Sequence, residues 1–297
     1  TQSVTATDTA GGQNGSQTGI VVTPDYTGGL SDFSLTGITS GNEAGTAATP
    51  VVTALDQYGN TLDNYTGTVA FTSSDGSATL PANYTFTGAD SGTHTFTGGV
   101  TLVTAGTQSV TATDTAGGQN GSQTGIVVTP DYTGGLSDFS VTGITSGNEA
   151  GTAATPVVTA LDQYGNTLDN YTGTVAFTSS DGSATLPANY TFTGADSGTH
   201  TFAGGVTLVT AGTQSVTATD TVGGQNGSQT GIVVTPDYTG GLSDFSVTGI
   251  TSGNEAGTAA TPVVTALDQY GNTLDNYTGT VAFTSSDGSA TLPANYT

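Results

Sequence analysis

The sequence predicts an all-β fold built as a tandem array of sandwich domains. Three observations carry that prediction. First, the chain repeats with a period of 106 residues: Thr-Gln-Ser-Val-Thr-Ala-Thr-Asp-Thr begins at Thr1, Thr107 and Thr213. A period near 100 residues, by order of magnitude, is the size of one sandwich; solenoids and propeller blades repeat at roughly 20–50. Second, each period breaks into short runs rich in Thr and Val, bounded by Gly, Asn, Asp and Pro. β-Branched side chains suit a pleated, half-buried surface, and the bounding residues suit turns. Third, no apolar run keeps the helical period long enough to make a helix.

The elements follow in order. Leu30 to Ile38 reads as a first strand and Ala47 to Leu55 as a second, ended by Asp56-Gln57-Tyr58-Gly59-Asn60. Thr66 to Ser73 is a third, with Val69 and Phe71 on one face, and Asp75-Gly76 turns the chain. Ala78 to Thr87 carries Pro81, which suits an edge or a bulge. His94 to Leu102 follows, kinked at Gly98-Gly99. Gln108 to Thr115 alternates, with Val110 and Ala112 facing in, and Gly125 to Thr129 closes the unit. That makes about seven strands per repeat, as a sandwich requires.

The linker is Thr23-Pro24-Asp25-Tyr26-Thr27-Gly28-Gly29, with Pro and paired Gly between two strands. Complete domains are therefore expected at 29–134 and 135–240. Residues 1–28 are expected to be the C-terminal strands of a preceding repeat, and 241–297 the N-terminal half of a following one. The first two copies differ only at Leu35/Val141 and Thr97/Ala203, and the third has Val222 where the others have Ala10 and Ala116.

Composition excludes several classes of function. The chain has no Lys, Arg, Cys, Met or Trp, and its net charge is -23. Without cationic side chains it does not bind nucleic acid by neutralising phosphates, and anionic membranes repel it. No apolar run is long enough to insert this segment into a membrane. Absence of Cys removes disulfides and thiolate metal sites. Absence of Lys removes Lys–Asn isopeptide cross-links, and with Arg also absent there is no cleavage site for trypsin-like proteases.

Three signatures recur in order: Val52-Thr-Ala-Leu-Asp-Gln-Tyr-Gly-Asn60, Thr68-Val-Ala-Phe-Thr72 and Ala105-Gly-Thr-Gln-Ser-Val-Thr-Ala-Thr113. Over essentially its whole length the chain resembles the bacterial immunoglobulin-like repeats of invasin- and intimin-type surface adhesins, the Big-1-like repeats. Those repeats carry a strand ending Asp-x-x-Gly-Asn, a Val-x-Phe strand and a late Ala-Gly-Thr-x-x-Val-x-Ala strand. The resemblance implies tandem immunoglobulin-like sandwiches in an extracellular stalk that projects an adhesive head from a cell surface.

Candidate sites are few. Ca²⁺ takes six to eight oxygen ligands. Asp56, Asn60 and Asp63, and the linker set Asp25, Asp32 and Glu43, could supply some. Their counterparts are Asp162, Asn166, Asp169, Asp131, Asp138 and Glu149. Asx-turn chemistry accounts for the same residues without metal. Ca²⁺ is thus the one cofactor to consider, and none is required. His94 and His200 lie close to Asp90-Ser91 and its repeat, but no oxyanion hole or nucleophile elbow accompanies them, so a packed histidine is expected and no enzyme. Asn14, Asn64, Asn83, Asn120, Asn170 and Asn189 open Asn-x-Ser/Thr triplets, the acceptors for N-glycosylation. Tyr58, Tyr65 and Tyr84 suit either a sugar-binding strip or inward packing, and packing is expected.

The expected function is a structural extracellular stalk or fibre of tandem repeats that spaces or mediates adhesion at a cell surface. The expected partners are neighbouring repeats or identical chains. One alternative is a self-assembling filament subunit completed by strand exchange between chains. Another is a multivalent array binding host or matrix glycans or receptors.

Overall fold

A computed structural model describes residues 1–297. The chain forms two compact units, Thr1–Gly134 with Tyr164–Asn166, and Gly135–Gln163 with Thr167–Thr297. Each contains one complete repeat and part of another. The fold is all-β, with one short 3₁₀ turn at Gly194–Asp196.

The first unit opens with a hairpin of β1 (Gln2–Thr7) and β2 (Asn14–Ile20). Its complete repeat holds β3 (Asp32–Thr36), β4 (Asn42–Glu43), β5 (Ala47–Ala48), β6 (Val51–Leu55) and β7 (Thr68–Ser73). Then follow β8 (Tyr84–Thr85), β9 (Thr93–Thr95), β10 (Val100–Thr101), β11 (Gly106–Asp114) and β12 (Asn120–Thr129). One sheet has the order β3-β6-β9, the facing sheet β4-β12-β11-β7-β8, and β5 pairs with β10 at the side. All pairings are antiparallel except β4 with β12.

Alternation builds the core. Phe33, Leu35, Val52 and Ala54 meet Val69, Phe71, Val110, Ala112, Ile126 and Val128 between the sheets, with Phe86, Phe96, Val100 and Leu102 completing the cluster. No buried side-chain nitrogen or oxygen lacks a hydrogen-bond partner.

Four expected strands differ in detail. The run Ala47 to Leu55 is two strands, β5 and β6, which pair in different sheets, and of Ala78 to Thr87 only Tyr84–Thr85 is a strand. The run His94 to Leu102 is two strands, β9 and β10, separated by a turn at which Gly98 takes φ +61°. The last strand begins at Asn120 rather than near Gly125. Its first half has no apolar signal because the inward positions are Gly121 and Gln123. A Cβ on Gly121 would lie 1.7 Å from the carbonyl oxygen of Phe33, so only glycine lets the sheets approach there. Register shifts between Gln108 and Val110 opposite Gly125, whose φ is +69°. This bulge resets the alternation, so that Ile126 and Val128 face inward beyond it.

The second unit repeats this arrangement in 135–240. Its sheets include strand Asn148–Glu149 parallel to Asn226–Thr235. In 241–297, strands Asp244–Thr248 and Val263–Leu267 pair. Phe245, Val264, Tyr277 and Phe283 line an open groove of about 440 Å³, where complete repeats place their later strands.

Candidate functional site

The densest polar arrangement surrounds the linkers. In the second unit, the loop Asp268-Gln269-Tyr270-Gly271-Asn272 closes on itself. Asp268 Oδ1 accepts from the backbone N–H groups of Tyr270 (2.9 Å) and Asn272 (2.8 Å), and Oδ2 accepts from the Asn272 amide at 2.8 Å. Asp268 is buried. This is an Asx-type turn, which the residue order dictates locally.

The same loop then grips the preceding repeat and linker. Asp268 Oδ2 accepts the backbone N–H of Asp237 at 2.8 Å, and Gln269 Nε2 donates to Asp237 Oδ2 at 2.7 Å. Asn272 Nδ2 donates to the Val209 carbonyl at 2.8 Å, while its Oδ1 accepts from Ala211 N–H at 2.8 Å. Tyr238 Oη donates to Asp275 Oδ1 at 2.7 Å. Thr239 N–H donates to Glu149 Oε2 at 3.2 Å. Tyr270 lays its hydroxyl over Gly151 so closely that a Cβ there would lie 2.1 Å from it.

The first unit shows the same linker chemistry at 24–29. Asp25 N–H donates to Asp56 Oδ2 at 2.8 Å, Gln57 Nε2 to Asp25 Oδ2 at 2.7 Å, and Tyr26 Oη to Asp63 Oδ1 at 2.8 Å. Tyr58 is 74% exposed against 42% for Tyr270.

N–H donors replace the missing cations. The Asp25 N–H leads in pushing the Asp56 carboxyl down to about 2, against the opposing effect of burial, and Asn60 and Tyr58 add to it. Burial raises the Asp268 carboxyl, but the N–H groups of Asp237, Asn272 and Tyr270 and the Asn272 amide outweigh it and hold it below the ordinary range.

These placements bear on the metal candidates. Asp56, Asn60 and Asp25 come together, but the oxygens of Asp56 face N–H donors, which need the lone pairs a cation would need. Asp63 is engaged by Tyr26. Asp32 and Asp138 each accept from the next backbone N–H, at 2.8 and 2.7 Å. Glu43 accepts from Thr133 N–H at 3.1 Å, toward the far end of its repeat. No three Asp, Glu or His side chains gather as metal ligands.

The histidines are packed. His94 Nδ1 lies 2.7 Å from Asp90 Oδ1, its ring stacks on Tyr84 at 3.8 Å, and Phe96 meets it edge-on at 4.7 Å. Asp90 also accepts from Thr87 N–H, the Thr87 hydroxyl and the Tyr84 hydroxyl. These bonds, led by Thr87 N–H and opposed by burial, hold its carboxyl far below the usual range. His200 repeats the arrangement with Asp196 and Tyr190. Tyr65 is buried and Tyr84 half-buried, so with Tyr58 exposed the three form no single strip. The six candidate glycosylation asparagines are all exposed.

Sequence reasoning missed Gln57 and Tyr26 as linker ligands. It also missed Asp75, Asp114 and Gln123, which staple each repeat internally. Asp75 read only as a turn residue, Asp114 fell unremarked within the run Gln108 to Thr115, and Gln123 sat in a run with no apolar signal.

No family model and no curated protein matches this sequence. Solved structures do align with the fold. Invasin, described as a bacterial integrin-binding protein, aligns at 23% identity over 84% of this chain and 49% of its own, with a TM-score of 0.30. This chain thus spans about half of the invasin chain. The D0-D1 domains of intimin align at 19% identity over 67% of this chain and 95% of theirs, TM-score 0.27. Domains 5-6 of the S-layer protein SbsC align at 21% over 70% and 98%, TM-score 0.24.

Proposed function

We propose that this chain is a stretch of an extracellular stalk or fibre whose repeats act as spacers at a cell surface. The observation that carries the reading is the linker. Neighbouring domains in one chain ordinarily move relative to each other. Here the linker backbone and side chains are hydrogen-bonded into the Asp268 loop, and Asn272 holds the 209–211 segment of the repeat before it. A spacer transmits position only if its joints resist bending, and a joint made by the repeat itself works at every copy of a one-dimensional array. The absence of Lys and Arg fits exposure to proteases outside a cell.

Immunogold electron microscopy of the source cells tests this. Label on thin surface projections, released by boiling as very large polypeptides, is the expected result. Label confined to the cell interior, or release as separate short chains, refutes a covalent stalk.

A further inference from the structure

We propose that Gly151 is the specificity-determining residue of the joint: a following repeat seats its Asp-Gln-Tyr-Gly-Asn loop only where position 151 has no side chain. The inference rests on the stiff joint argued above and names the partner that joint accepts, a further repeat carrying this loop.

Gly151 lies in the turn Glu149-Ala150-Gly151-Thr152, just after the strand Asn148–Glu149. Its φ is +85°. The backbone alone does not demand glycine there, because asparagine and aspartate also enter the left-handed region. The ring of Tyr270 makes the demand. A Cβ on Gly151 would lie 2.7 Å from Tyr270 Cζ and 2.8 Å from Cε2, and closer still to Oη. Carbon atoms at rest sit about 3.5–4.0 Å apart. A side chain at 151 therefore displaces either the ring or the turn.

Neither yields alone. Ala150 N–H donates to the Thr235 carbonyl at 2.8 Å, Gly151 N–H to the Leu208 carbonyl at 2.9 Å and Thr152 N–H to the Glu149 carbonyl at 3.1 Å, so the turn is pinned. The loop under the ring is pinned by Asp268, which accepts from the N–H groups of Tyr270, Gly271 and Asn272. A clash at the ring thus moves the whole loop, and with it Asn272 away from the Val209 carbonyl and Ala211 N–H. One methyl group at 151 breaks hydrogen bonds that it does not touch. A steric block of this kind is how an interface rejects a wrong neighbour.

The pairing recurs within the first unit. Gly45, also at φ +85°, meets Tyr164, and a Cβ there would lie 2.6 Å from Cζ and 2.8 Å from Cε2. Asn166 bonds the Val103 carbonyl at 2.8 Å and Ala105 N–H at 2.7 Å. Gly147 is the contrast. It has φ +88° in the same repeat as Gly151, yet a Cβ on it would meet nothing within 4 Å.

The test measures distance distributions in the full chain with paired labels on 135–240 and 241–297. Gly151→Ala is expected to widen the distribution roughly twofold, because domains of one chain move relative to each other unless held. Gly147→Ala is the comparison. It carries the same left-handed strain into the same repeat, so both variants lower that repeat's melting temperature, but only Gly151→Ala opens the joint. Gly151→Ala combined with Tyr270→Ala is expected to be no wider than Tyr270→Ala alone, since changes that act through one contact do not add. An unchanged width in Gly151→Ala overturns the proposal. So does equal widening in Gly147→Ala, or a double variant in which the two single effects sum. If Asn272→Ala widens the distribution where Gly151→Ala does not, the stiff joint stands and only the role of Gly151 falls. A wide distribution in the unaltered chain defeats the stiff joint itself, so the two failures are separable.

Discussion

Asp75→Asn, made only in the first complete repeat, is expected to destabilise that repeat by about 3 kcal/mol. Asp75 sits in the turn after β7 and is buried. Its Oδ2 accepts Val103 N–H at 2.7 Å and Thr104 N–H at 3.0 Å. Its Oδ1 accepts the Thr104 hydroxyl at 2.7 Å and Ser77 N–H at 3.0 Å. One carboxylate thus serves four donors, and an amide has only one accepting end. With the amide oxygen toward 103–104, the Thr104 hydroxyl can rotate to accept, but Ser77 N–H then faces another donor. A buried N–H left unmatched costs about 1–3 kcal/mol, and loss of charge weakens the two bonds that remain. For a domain of this size, about 3 kcal/mol is a fall of roughly 12–20 °C in melting temperature. Calorimetry of the full chain checks it: one endotherm should become two, the higher from the repeat stapled by Asp181. An unsplit endotherm at the original temperature refutes the reasoning. The same carboxylate predicts acid behaviour. Burial raises it, but the bonds from Thr104, Val103 and Ser77 outweigh burial and lower it below 3.8. Its stabilisation is therefore complete above that value and lost as pH falls through the folded value, because the unfolded chain takes up the proton first.

Tyr65→Phe removes the 2.5 Å hydrogen bond from the buried Tyr65 hydroxyl to Asp114 Oδ1. A loss of about 1.5–3 kcal/mol is expected in urea titration, since the acceptor is charged. Asn272→Ala should leave the 135–240 repeat as stable as before but loosen the joint that follows it. Paired labels on 135–240 and 241–297 should then report a broader distance distribution, and an unchanged one would refute the role given to Asn272. Added salt should raise the melting temperature of the whole chain by a few degrees. With net charge -23 and no Lys or Arg, the field that salt screens is almost wholly repulsive. A fall with salt would show that this balance is wrong.

The sequence by itself determined whatever depends on neighbours along the chain. The 106-residue period, the alternation that puts Val69, Phe71, Val110 and Ala112 inside, and the turns at Asp56 and Asp75 are local, because side-chain direction in a strand and Asx-turn chemistry need only adjacent residues. Only the tertiary structure decided where the carboxylates spend their hydrogen bonds. Asp56 reaches back to Asp25, Asp75 across to Val103 and Thr104, Asp114 to Tyr65, and Gln123 to Ile38. Such partners lie tens of residues apart, and they meet only once the sheets have packed and removed water from between them. The first half of β12 was hidden for the same reason. Its inward residues serve a close backbone approach and a long-range hydrogen bond rather than burial of apolar surface, so no hydrophobic pattern could announce them.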